Sequence, residues 1–438
     1  MRLRPLALFA PVALALFGTT ARAEDAHAAI AAAAQAAEAQ VVAWRRDIHE
    51  HPELGNREKR TAALVARELK KLGFDEVQTG IAHTGVVGIL KGGKPGGVVA
   101  LRADMDALPV EEKSGLPFAS KVRMEYNGTE VPVMHACGHD AHTAILMGVA
   151  KVLAGMRDQI PGTVSFVFQP AEEGAPEGEE GGARLMIKEG LWEKTKQPTA
   201  IFGLHTWPGP AGSILYRSGP TMAASDTIKI VVKGKQTHGS QPWGGIDPIV
   251  VAAQIVQALQ VIPSRQLDIT KAPSVVTIGS IHGGVRHNII PDSVEMTGTV
   301  RNFDEGIRKD MLARITRTAT SIAAASGAEA TVTVDSHGAG VTYNDPALVK
   351  QMEPSLRAAA GDKLMDAPLI MASEDFSDYQ QDIPGLFFFL GGNKDGVGPG
   401  EAAANHSPMY FVNESALVPG VRTLATLAVD YLQQKAPK

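Results

Sequence analysis

The chain has 438 residues, of which 44% are hydrophobic and 20% charged, with 45 glycines, 27 prolines and a single cysteine. This composition is typical of a soluble globular protein and excludes collagen-like, coiled-coil and mostly disordered chains. The formal net charge of −5 leaves no basic excess to hold a nucleic-acid backbone. One cysteine excludes an internal disulfide, and the length favours two domains over one.

The N-terminus predicts a signal peptide over residues 1–23. Two arginines precede an apolar stretch from Leu6 to Phe17, and Ala21-Arg22-Ala23 has the small-residue pattern of a signal-peptidase site. The apolar stretch is shorter than the roughly 20 residues that a transmembrane helix needs. We therefore expect cleavage after Ala23 and export to the periplasm or the exterior, without membrane attachment afterwards. An uncleaved membrane anchor is the alternative.

Helical and strand patterns alternate along residues 24–220. Apolar residues at helical spacing predict helices, and short apolar runs bounded by glycine or proline predict strands. The predicted helices are 26–50, 58–72, 139–153 and 182–189, and the predicted strands are 86–90, 98–101, 164–168 and 201–204. This alternation favours an α/β sandwich with a parallel or mixed sheet.

A different pattern begins near residue 221. Strands are predicted at 226–233, 273–281, 293–302 and 329–335, and helices at 247–260 and 305–325. Their β-α-β-β-α-β order is typical of a compact ferredoxin-like α+β layer. The earlier alternation returns after about residue 340, with a strand at 386–390 and a closing helix at 413–433. We therefore predict one α/β domain in two parts, 24–220 and 339–438, interrupted by a smaller domain at 221–338.

Groups that bind metals concentrate at a few points of the chain. Three of the 13 histidines surround the only cysteine in the segment 134–142. Ligands bind at the carboxyl ends of strands in open α/β sheets, and further metal-binding side chains stand near such ends. They are Asp104, Asp106, Glu172, Glu173 and His205, with His406 in a later loop. We expect these groups to converge on one pocket.

These residue types suit a divalent metal such as zinc. Zinc binds thiolate, imidazole and carboxylate, and a catalytic site keeps one position open for water. Cys137 and His139 are spaced to reach one centre from a loop that opens a helix. Adjacent Glu172 and Glu173 point opposite ways on an extended backbone, which suits one to bind metal and the other to act as general base. Each signal is weak alone, but together they predict a catalytic metal site.

Nine motifs occur in order between residues 45 and 408: RRDIHEHPELG, LRADMDALP, MHACGHDAHT, FQPAEEG, GLHTWP, QTHGSQP, RHNIIPD, SEDF and NHSP. Together they resemble the aminoacylase/carboxypeptidase family of di-metal peptidases (peptidase family twenty), and its hippurate hydrolase and auxin-conjugate amidohydrolase branch. The resemblance spans nearly all of the chain after residue 23. It implies an α/β/α catalytic domain, 24–220 and 339–438, with an inserted lid or dimerisation domain at 221–338.

The resemblance also implies a set of metal ligands and a base. Two divalent ions per subunit are expected, bridged by Cys137, with Glu172 as general base. Thiolate favours zinc, but imidazole and carboxylate also accept manganese, cobalt or nickel. The remaining ligands would be His139, Glu173, His205 and His406. Other branches of the family carry an aspartate in place of the bridging cysteine, and a His-x-Asp where this chain has Asp104-Met105-Asp106, so both aspartates are expected to support ligands.

Further residues are expected around this centre. Asp140 is predicted to orient a ligand imidazole, and Glu374 to lie in the pocket wall or behind the ligands. By the resemblance, His238 of the lid would contact the oxyanion or substrate, reaching the active site of a partner subunit. Asn288 and Arg301, also in the lid, would hold a substrate carboxylate, Arg301 through its bidentate fork. A surface salt bridge is the alternative for Arg301. His135 and His142 are expected to support the pocket, and His49 and His51 to be structural.

These features predict a metal-dependent amidohydrolase. A water held between two ions would attack the amide carbonyl of a hippurate-like N-acyl amino acid, with Glu172 moving its proton to the leaving amine. A carboxypeptidase or dipeptidase with the same centre is the closest alternative. A non-catalytic binder of metal or amino acid is a second one, which the unliganded base disfavours. A serine hydrolase is disfavoured because no GxSxG motif is present. The expected partners are a small substrate and a second copy of the chain, bound through the lid.

Overall fold

The computed structural model describes residues 14–335, 338–398 and 400–436, with side chains from Glu24 onward. The helices are α1 (Leu14–Glu50), α2 (Lys59–Lys71), α3 (His139–Gly155), α4 (Gly182–Lys188), α5 (Leu191–Thr195), α6 (Pro248–Val261), α7 (Glu305–Ala325), α8 (Pro346–Ala360), α9 (Phe376–Tyr379) and α10 (Leu417–Lys435). The predicted signal peptide lies outside these residues over 1–13, and only its backbone is described from Leu14 onward.

Eighteen strands are found in the described part of the chain. They are β1 (Glu76–Ile81), β2 (Gly85–Lys91), β3 (Lys94–Asp104), β4 (Arg123–Tyr126), β5 (Thr129–Pro132), β6 (Pro161–Gln169), β7 (Ile201–Trp207), β8 (Ile214–Tyr216), β9 (Gly219–Met222), β10 (Ala224–Lys233), β11 (Thr237–His238), β12 (Ser274–His282), β13 (Ile289–Ile290), β14 (Ser293–Asn302), β15 (Glu329–Asp335), β16 (Thr342–Asn344), β17 (Leu364–Asp366) and β18 (Gly385–Gly391).

The larger sheet has eight strands in the order β1-β2-β6-β3-β7-β18-β8-β17. Its four central strands, β6, β3, β7 and β18, run parallel, whereas β1, β2 and β8 pair antiparallel with a neighbour. The predicted mixed sheet is therefore confirmed. Parallel strands place their carboxyl ends at one edge of the sheet, and this edge carries the site described below.

Helices cover both faces of this sheet because its central strands are apolar on both sides. Along β6, Phe166 and Phe168 enter the core beneath α1, α3 and α10, while Val167 enters the core beneath α4 and α9. Successive side chains of a strand alternate between faces, so one strand fills two cores. Helix α3 is buried along nearly its whole length, between the sheet and α1. The result is an α/β/α sandwich, as the resemblance implied.

A second, four-stranded antiparallel sheet has the order β12-β14-β10-β15. Helices α6 and α7 cover one face and share a separate core with Ile228, Ile230 and Val232 of β10. The predicted β-α-β-β-α-β order is found here with α7 and β15 at the expected residues. All of these elements fall inside the predicted segment 221–338, whose boundaries stay a prediction. The two-stranded ribbon of β11 and β13 is an addition that the sequence patterns did not indicate.

Several elements differ from the sequence-based expectation. Strand β1, the β4–β5 hairpin, the short strands β8 and β17, and helix α8 were not predicted. Short edge strands have weak sequence signals, and Pro354 inside α8 interrupts its helical pattern. The closing helix α10 begins at Leu417 rather than at 413 because a single short turn, Glu414–Ala416, precedes it. Among the described residues, no helix has both the length and the apolar character needed to cross a membrane.

Candidate metal centre

The carboxyl ends of the parallel strands bring the predicted ligands together. Strand β3 ends at Asp104. Strand β6 ends at Gln169, and the loop that follows it carries Glu172 and Glu173. His205 lies within β7 rather than at its end, because the strand continues to Trp207. Cys137 lies in the loop between β5 and α3, and His139 is the first residue of α3. His406 lies in the loop after β18 with a left-handed φ of 69°, and its backbone N–H donates to the Ala136 carbonyl at 2.7 Å.

Two groups of ligand atoms share the Cys137 sulfur. In one, the ligand atoms of Cys137, His139 and His205 lie within 4.8 Å of one another, and in the other those of Cys137, Glu173 and His406 do. One thiolate common to two triads is the arrangement expected of a bridging ligand. All five predicted ligands are therefore placed in two adjoining groups.

His139 is held by a carboxylate behind it. Its Nδ1 lies 3.1 Å from Asp106 Oδ1, and its buried Nε2 has no hydrogen-bond partner among the described residues. Burial alone would lower the pKa of His139, but Asp104 and Asp106 outweigh it and raise the pKa to about 10. A metal-binding histidine usually has a carboxylate on one ring nitrogen, as His139 has, and its other nitrogen gives up its proton when the metal binds.

His205 is oriented in the same manner by the backbone. Its Nδ1 donates to the Thr206 carbonyl at 2.7 Å, which leaves Nε2 without a proton, 3.4 Å from the Cys137 sulfur. Burial lowers the pKa of His205, so the ring is neutral at pH 7. A neutral imidazole with its lone pair toward a buried sulfur fits a metal ligand.

Glu173 and His406 complete the second group. Their atoms Oε1 and Nε2 lie 3.0 Å apart, and the Glu173 backbone N–H donates to Asp106 Oδ2 at 2.9 Å. Asp106 therefore contacts one predicted ligand through its side chain and another through its backbone. Burial raises the pKa of the Cys137 thiol, and Glu173 and Glu172 raise it further. A cation among these groups would offset that repulsion, so the donor set fits a pair of divalent ions.

Glu172 lies between the ligands and a second group of carboxylates, since its ligand atom is also within 4.8 Å of those of His139 and Glu173. The ligand atoms of Glu172, Glu374 and Asp375 lie within 4.8 Å of one another, and the Asp375 backbone N–H lies 3.4 Å from Glu172 Oε1. Burial raises the pKa of Glu172, and Glu374 and Glu173 add to the shift. A carboxyl with a raised pKa is suited to hold a proton near neutral pH.

A buried arginine holds this carboxylate group together. Arg102 is fully buried, and its guanidinium contacts Asp104 at 2.6 Å, Asp375 at 2.7 Å and Glu374 at 2.9 Å. Removing one partner of such a network leaves an uncompensated buried charge. Glu374 was expected either in the pocket wall or behind the ligands. Its contact with Arg102 places it behind the ligands. Arg102 itself was not predicted, although it stands in the motif LRADMDALP.

A cavity of about 440 Å³ opens beside the two ligand groups. It is lined by Cys137, Glu172, Glu173, His205, Trp207, Pro208, Met222, Arg301, Ala372, Ser373, Ala404, Asn405 and His406. Arg301 donates to the Ser373 hydroxyl at 2.9 Å, and burial lowers its pKa. Among the described residues it forms no ion pair, so the alternative of a surface salt bridge is not found, and its contact with a substrate carboxylate stays a prediction. Apolar walls and one cation suit a small amide that carries a carboxylate.

The other two lid residues lie outside this cavity. His238 is exposed at the end of β11, where its Nδ1 is hydrogen bonded to the Ser240 hydroxyl at 2.8 Å. Asn288 pairs with the ribbon through its backbone, and its buried Oδ1 has no partner among the described residues. Within one chain, neither side chain therefore contributes to the pocket that contains Glu172.

Asp140 has different partners from those predicted. Its carboxylate accepts from Arg45 Nε at 2.7 Å and lies 2.8 Å from His49 Nδ1, while Asp106 is the residue that meets the His139 ring. The prediction for Asp140 was wrong because the first turn of α3 directs residue 140 toward α1. His49 also contacts Glu112 at 3.0 Å, so it ties α1 to the start of α3, in keeping with a structural role.

Other predicted supports behave as expected. His142 lies 2.6 Å from Asp104 and accepts the Thr206 backbone N–H at 2.8 Å, which links α3, β3 and β7. His135 is buried, and burial lowers its pKa to about 3. Sequence reasoning missed Asn405, whose Nδ2 lies 3.6 Å from the Cys137 sulfur. Its position directly before His406 in NHSP was the available signal.

Comparison with known proteins now identifies the family. Residues 100–430 match the model of peptidase family M20/M25/M40. The chain is 41% identical to thermostable carboxypeptidase 2 of Saccharolobus solfataricus over 89% of this chain and 95% of that protein. It is 38% identical to IAA-amino acid hydrolase ILR1-like 2 of Arabidopsis thaliana over 91% of this chain and 86% of that protein.

A solved structure supports the same assignment. The YXEP protein of Bacillus subtilis, described as a dinuclear metal binding peptidase from the M20 family, superposes with a TM-score of 0.76 at 36% identity. The match covers 91% of this chain and 99% of that chain. The protein therefore belongs to peptidase family M20/M25/M40, and the predicted family resemblance is confirmed. It is a metal-dependent amidohydrolase or peptidase.

Proposed function

We propose that the protein hydrolyses N-acyl amino acids of the hippurate type, releasing a carboxylic acid and an amino acid. The observation that carries this proposal is the common cavity of Glu172, the two ligand groups and Arg301. A base beside a metal centre serves amide hydrolysis, and an arginine in the same cavity serves a substrate with a free carboxylate. The relative named as an IAA-amino acid hydrolase supports the same substrate class.

Two divalent ions per subunit are part of this proposal. Cys137 would be shared, with His139 and His205 on one side and Glu173 and His406 on the other, as the two atom groups suggest. When bound, such a pair polarises a carbonyl and lowers the pKa of water to about 7. The thiolate favours zinc, although manganese, cobalt or nickel also suit the remaining ligands.

Glu172 is proposed as the general base and then the acid. Its carboxylate takes a proton from the attacking water and delivers it to the nitrogen of the leaving amine, a role that contributes about 10²–10⁴-fold in rate. Glu374 and Asp375 beside it help to raise its pKa, which favours delivery of the proton. Arg102 fixes these two neighbours and so keeps the environment of the base constant.

Arg301 is proposed to bind the free carboxylate on the amino-acid part of the substrate. Its guanidinium is half-buried in the cavity and is anchored to Ser373 through one nitrogen. The remaining donors suit a bidentate contact with a carboxylate. Trp207, Pro208 and Met222 form apolar wall of the same cavity, which suits an acyl group or an apolar side chain.

His238 and Asn288 are proposed to act in the active site of a second copy of the chain. Both stand outside the cavity of their own chain, and His238 is exposed. The lid near them exposes apolar side chains that a partner would cover, with exposures of 82% for Trp243, 53% for Val250 and 95% for Val285. A second lid is the proposed cover, which makes the protein a homodimer or a higher homo-oligomer. His238 would then donate to the developing oxyanion.

Export to the periplasm or the exterior, with cleavage after Ala23, is also part of the proposal. The described core residues of α1 begin with Ala26 and continue through Ile30 and Ala34, so cleavage after Ala23 would remove none of them. A chain beginning at Glu24-Asp25 would also place two acidic residues at the positive end of the helix dipole. N-terminal sequencing of the exported protein tests the cleavage site, and a mature chain that begins at Met1 would contradict it.

A carboxypeptidase or dipeptidase activity is the second candidate. It rests on the 41% identity to a protein named thermostable carboxypeptidase 2, and the same base and Arg301 would serve a C-terminal peptide bond. A panel of N-acyl amino acids and dipeptides, assayed with metal-reconstituted enzyme, separates the two candidates. Higher kcat/KM on the N-acyl amino acids is expected, and a preference for dipeptides would favour the alternative.

The catalytic part of the proposal is tested with Glu172→Gln. The variant is expected to retain its metal and to lose about 10²–10⁴-fold in kcat, because the amide cannot accept the proton. Asp382→Asn, which changes an exposed carboxylate that does not line the cavity, is the matched control and should leave kcat unchanged. Near wild-type turnover by Glu172→Gln with metal bound would refute the proposed role.

A further inference from the structure

Four consecutive residues, Gly55 to Glu58, lie against the loop that carries Glu172 and Glu173. A side chain at Gly55 would meet the Gly174 carbonyl oxygen at 2.7 Å and the Ala171 Cβ at 3.1 Å, so only glycine allows this approach. Asn56 donates to Glu179 and to the Glu180 carbonyl, both at 3.0 Å. The loop is therefore held at both of its ends by a segment more than 100 residues earlier in the chain.

Glu58 makes the contact nearest to the catalytic carboxylates. Its side chain is fully buried, and its Oε1 accepts the Ala171 backbone N–H at 2.9 Å. Its Oε2 is hydrogen bonded to the Thr84 hydroxyl. Both carboxyl oxygens therefore have partners, and one of these partners directly precedes Glu172.

Ala171 is the residue whose backbone decides where the two glutamates point. It has a φ of 51° and is buried. A left-handed conformation is unfavourable for alanine and persists only where the surroundings impose it. The hydrogen bond from its N–H to Glu58 is such a constraint. If Ala171 relaxed to a negative φ, the peptides that follow would rotate and both glutamates would leave their positions.

We propose that Glu58 is a positioning residue, which fixes the left-handed turn at Ala171 and thereby the directions of Glu172 and Glu173. The proposal rests on the proposed roles of these two glutamates. It assigns to Glu58 no contact with substrate or metal. The role requires a hydrogen-bond acceptor at Oε1 and a polar partner for Thr84, and it does not require a negative charge.

The electrostatic environment agrees with an uncharged role. Burial raises the pKa of Glu58 to about 8, and the Asp106 carboxylate adds to the shift, opposed by the hydrogen bond from Thr84. The carboxyl is therefore mostly neutral at pH 7. A glutamine has the same shape as a neutral glutamic acid, with a carbonyl oxygen for Ala171 and an amide that can donate to the Thr84 hydroxyl.

The experiment compares Glu58→Met with Glu58→Gln. Methionine fills the space without accepting a hydrogen bond, so kcat is expected to fall about 10²-fold, as misplacement of catalytic groups by about 1 Å does, while KM changes little. Backbone hydrogen exchange of residues 171–182 is expected to accelerate in the same variant. Glutamine is expected to restore both the exchange protection and kcat.

A control distinguishes positioning from general loss of stability. The Glu53 carboxylate accepts the backbone N–H groups of Arg60 and Thr61 at 2.9 and 2.8 Å, and so caps α2 without reaching the loop. Glu53→Met should lower Tm yet leave kcat and the exchange of 171–182 unchanged. Equal losses of kcat in Glu53→Met and Glu58→Met would overturn the proposal, as would a Glu58→Gln variant as impaired as Glu58→Met.

If Glu58→Met does not fold, Thr84→Val provides the test. It removes only the hydroxyl that holds Oε2, so a smaller loss of kcat and a smaller acceleration of exchange are expected. Wild-type values of both quantities would overturn the proposal. Hydrogen exchange reports the loop irrespective of the reaction, so a failure of the positioning role is distinguishable from a failure of Glu172 as base, which Glu172→Gln tests separately.

Discussion

The edge of the large sheet and the β11–β13 ribbon hold their histidines in opposite states. At the sheet edge, His139 and His205 each have one ring nitrogen fixed by an acceptor and the other directed at the ligand group. On the ribbon, His238 is exposed and bonds only to nearby Ser240 among the described residues. One chain therefore orders its candidate metal ligands by itself, whereas it leaves His238 with no contact to the cavity.

The difference follows from how each region is built. Parallel strands and their helices fix the positions of ligands from several sides, and buried carboxylates lock their rotamers. The β11–β13 ribbon has only two residues per strand and little core of its own. Its side chains therefore depend on another surface for their position, which we propose to be a second copy of the chain.

The largest effect is expected from the sheet edge. Cys137→Ala removes the atom shared by both ligand groups, so metal content should fall and activity should drop by more than the roughly 100-fold that loss of an outer partner costs. Metal analysis of the purified variant, together with kcat, checks this. An active variant with two ions per subunit would show that the sulfur does not bridge.

The next effect tests the lid. His238→Ala should lower kcat by about 10²–10³-fold, the cost of one oxyanion donor, with metal content unchanged. The exposed lid residue His282 offers a matched control, since His282→Ala should leave kcat as it is. Full activity of His238→Ala would refute the proposed role of His238 in catalysis.

Mixing two inactive variants decides whether His238 acts in the partner. A dimer of His238→Ala with Glu172→Gln contains one site with both residues intact if the histidine acts across the interface, and none if it acts within its own chain. Random exchange of subunits in a two-fold dimer should therefore restore about one quarter of wild-type activity. Absence of restored activity after verified exchange would contradict the shared site.

A smaller effect is expected behind the ligands. Asp106→Asn weakens the contact to His139 and the acceptor for the Glu173 backbone, so metal affinity should fall about 10–100-fold. Competition with a chelator measures the affinity. The exposed Asp268→Asn serves as control, and equal affinities in the two variants would show that Asp106 does not support the ligands.

The last prediction concerns the pH dependence of stability rather than the rate. The pKa of Glu58 is raised to about 8 from an ordinary 4.5, so the folded chain holds a proton that the unfolded chain loses. The free energy of unfolding should therefore fall between pH 4.5 and 8, by up to about 1.4 kcal/mol per pH unit. Because Glu58→Gln does not titrate, its Tm relative to wild type should rise across this window. A constant difference would place the pKa of Glu58 near its ordinary value.

The fold was predictable where local patterns were strong. Helix α7 and strands β14 and β15 lie at the expected residues, because their apolar periodicity is regular and turns bound them. The short strands β8 and β17 pair with each other far apart in sequence, and no local pattern specifies such pairing. The β11–β13 ribbon was not predicted for the same reason, because about 50 residues separate its two strands.

The candidate metal ligands were predictable because zinc ligands are few in kind and stand in compact motifs. Cys137 and His139 were proposed from their spacing, and the family resemblance chose Glu173 over Glu172. Their supports were not predictable. Asp106 rather than Asp140 meets His139, since the direction of a side chain at a helix start depends on what α3 packs against. Glu58 gave no signal, because its partner Ala171 is reached only when β6 places the loop beside the start of α2. The sequence determined which groups were available, and the tertiary structure decided which of them touch, because contacts between distant segments depend on the pairing of strands.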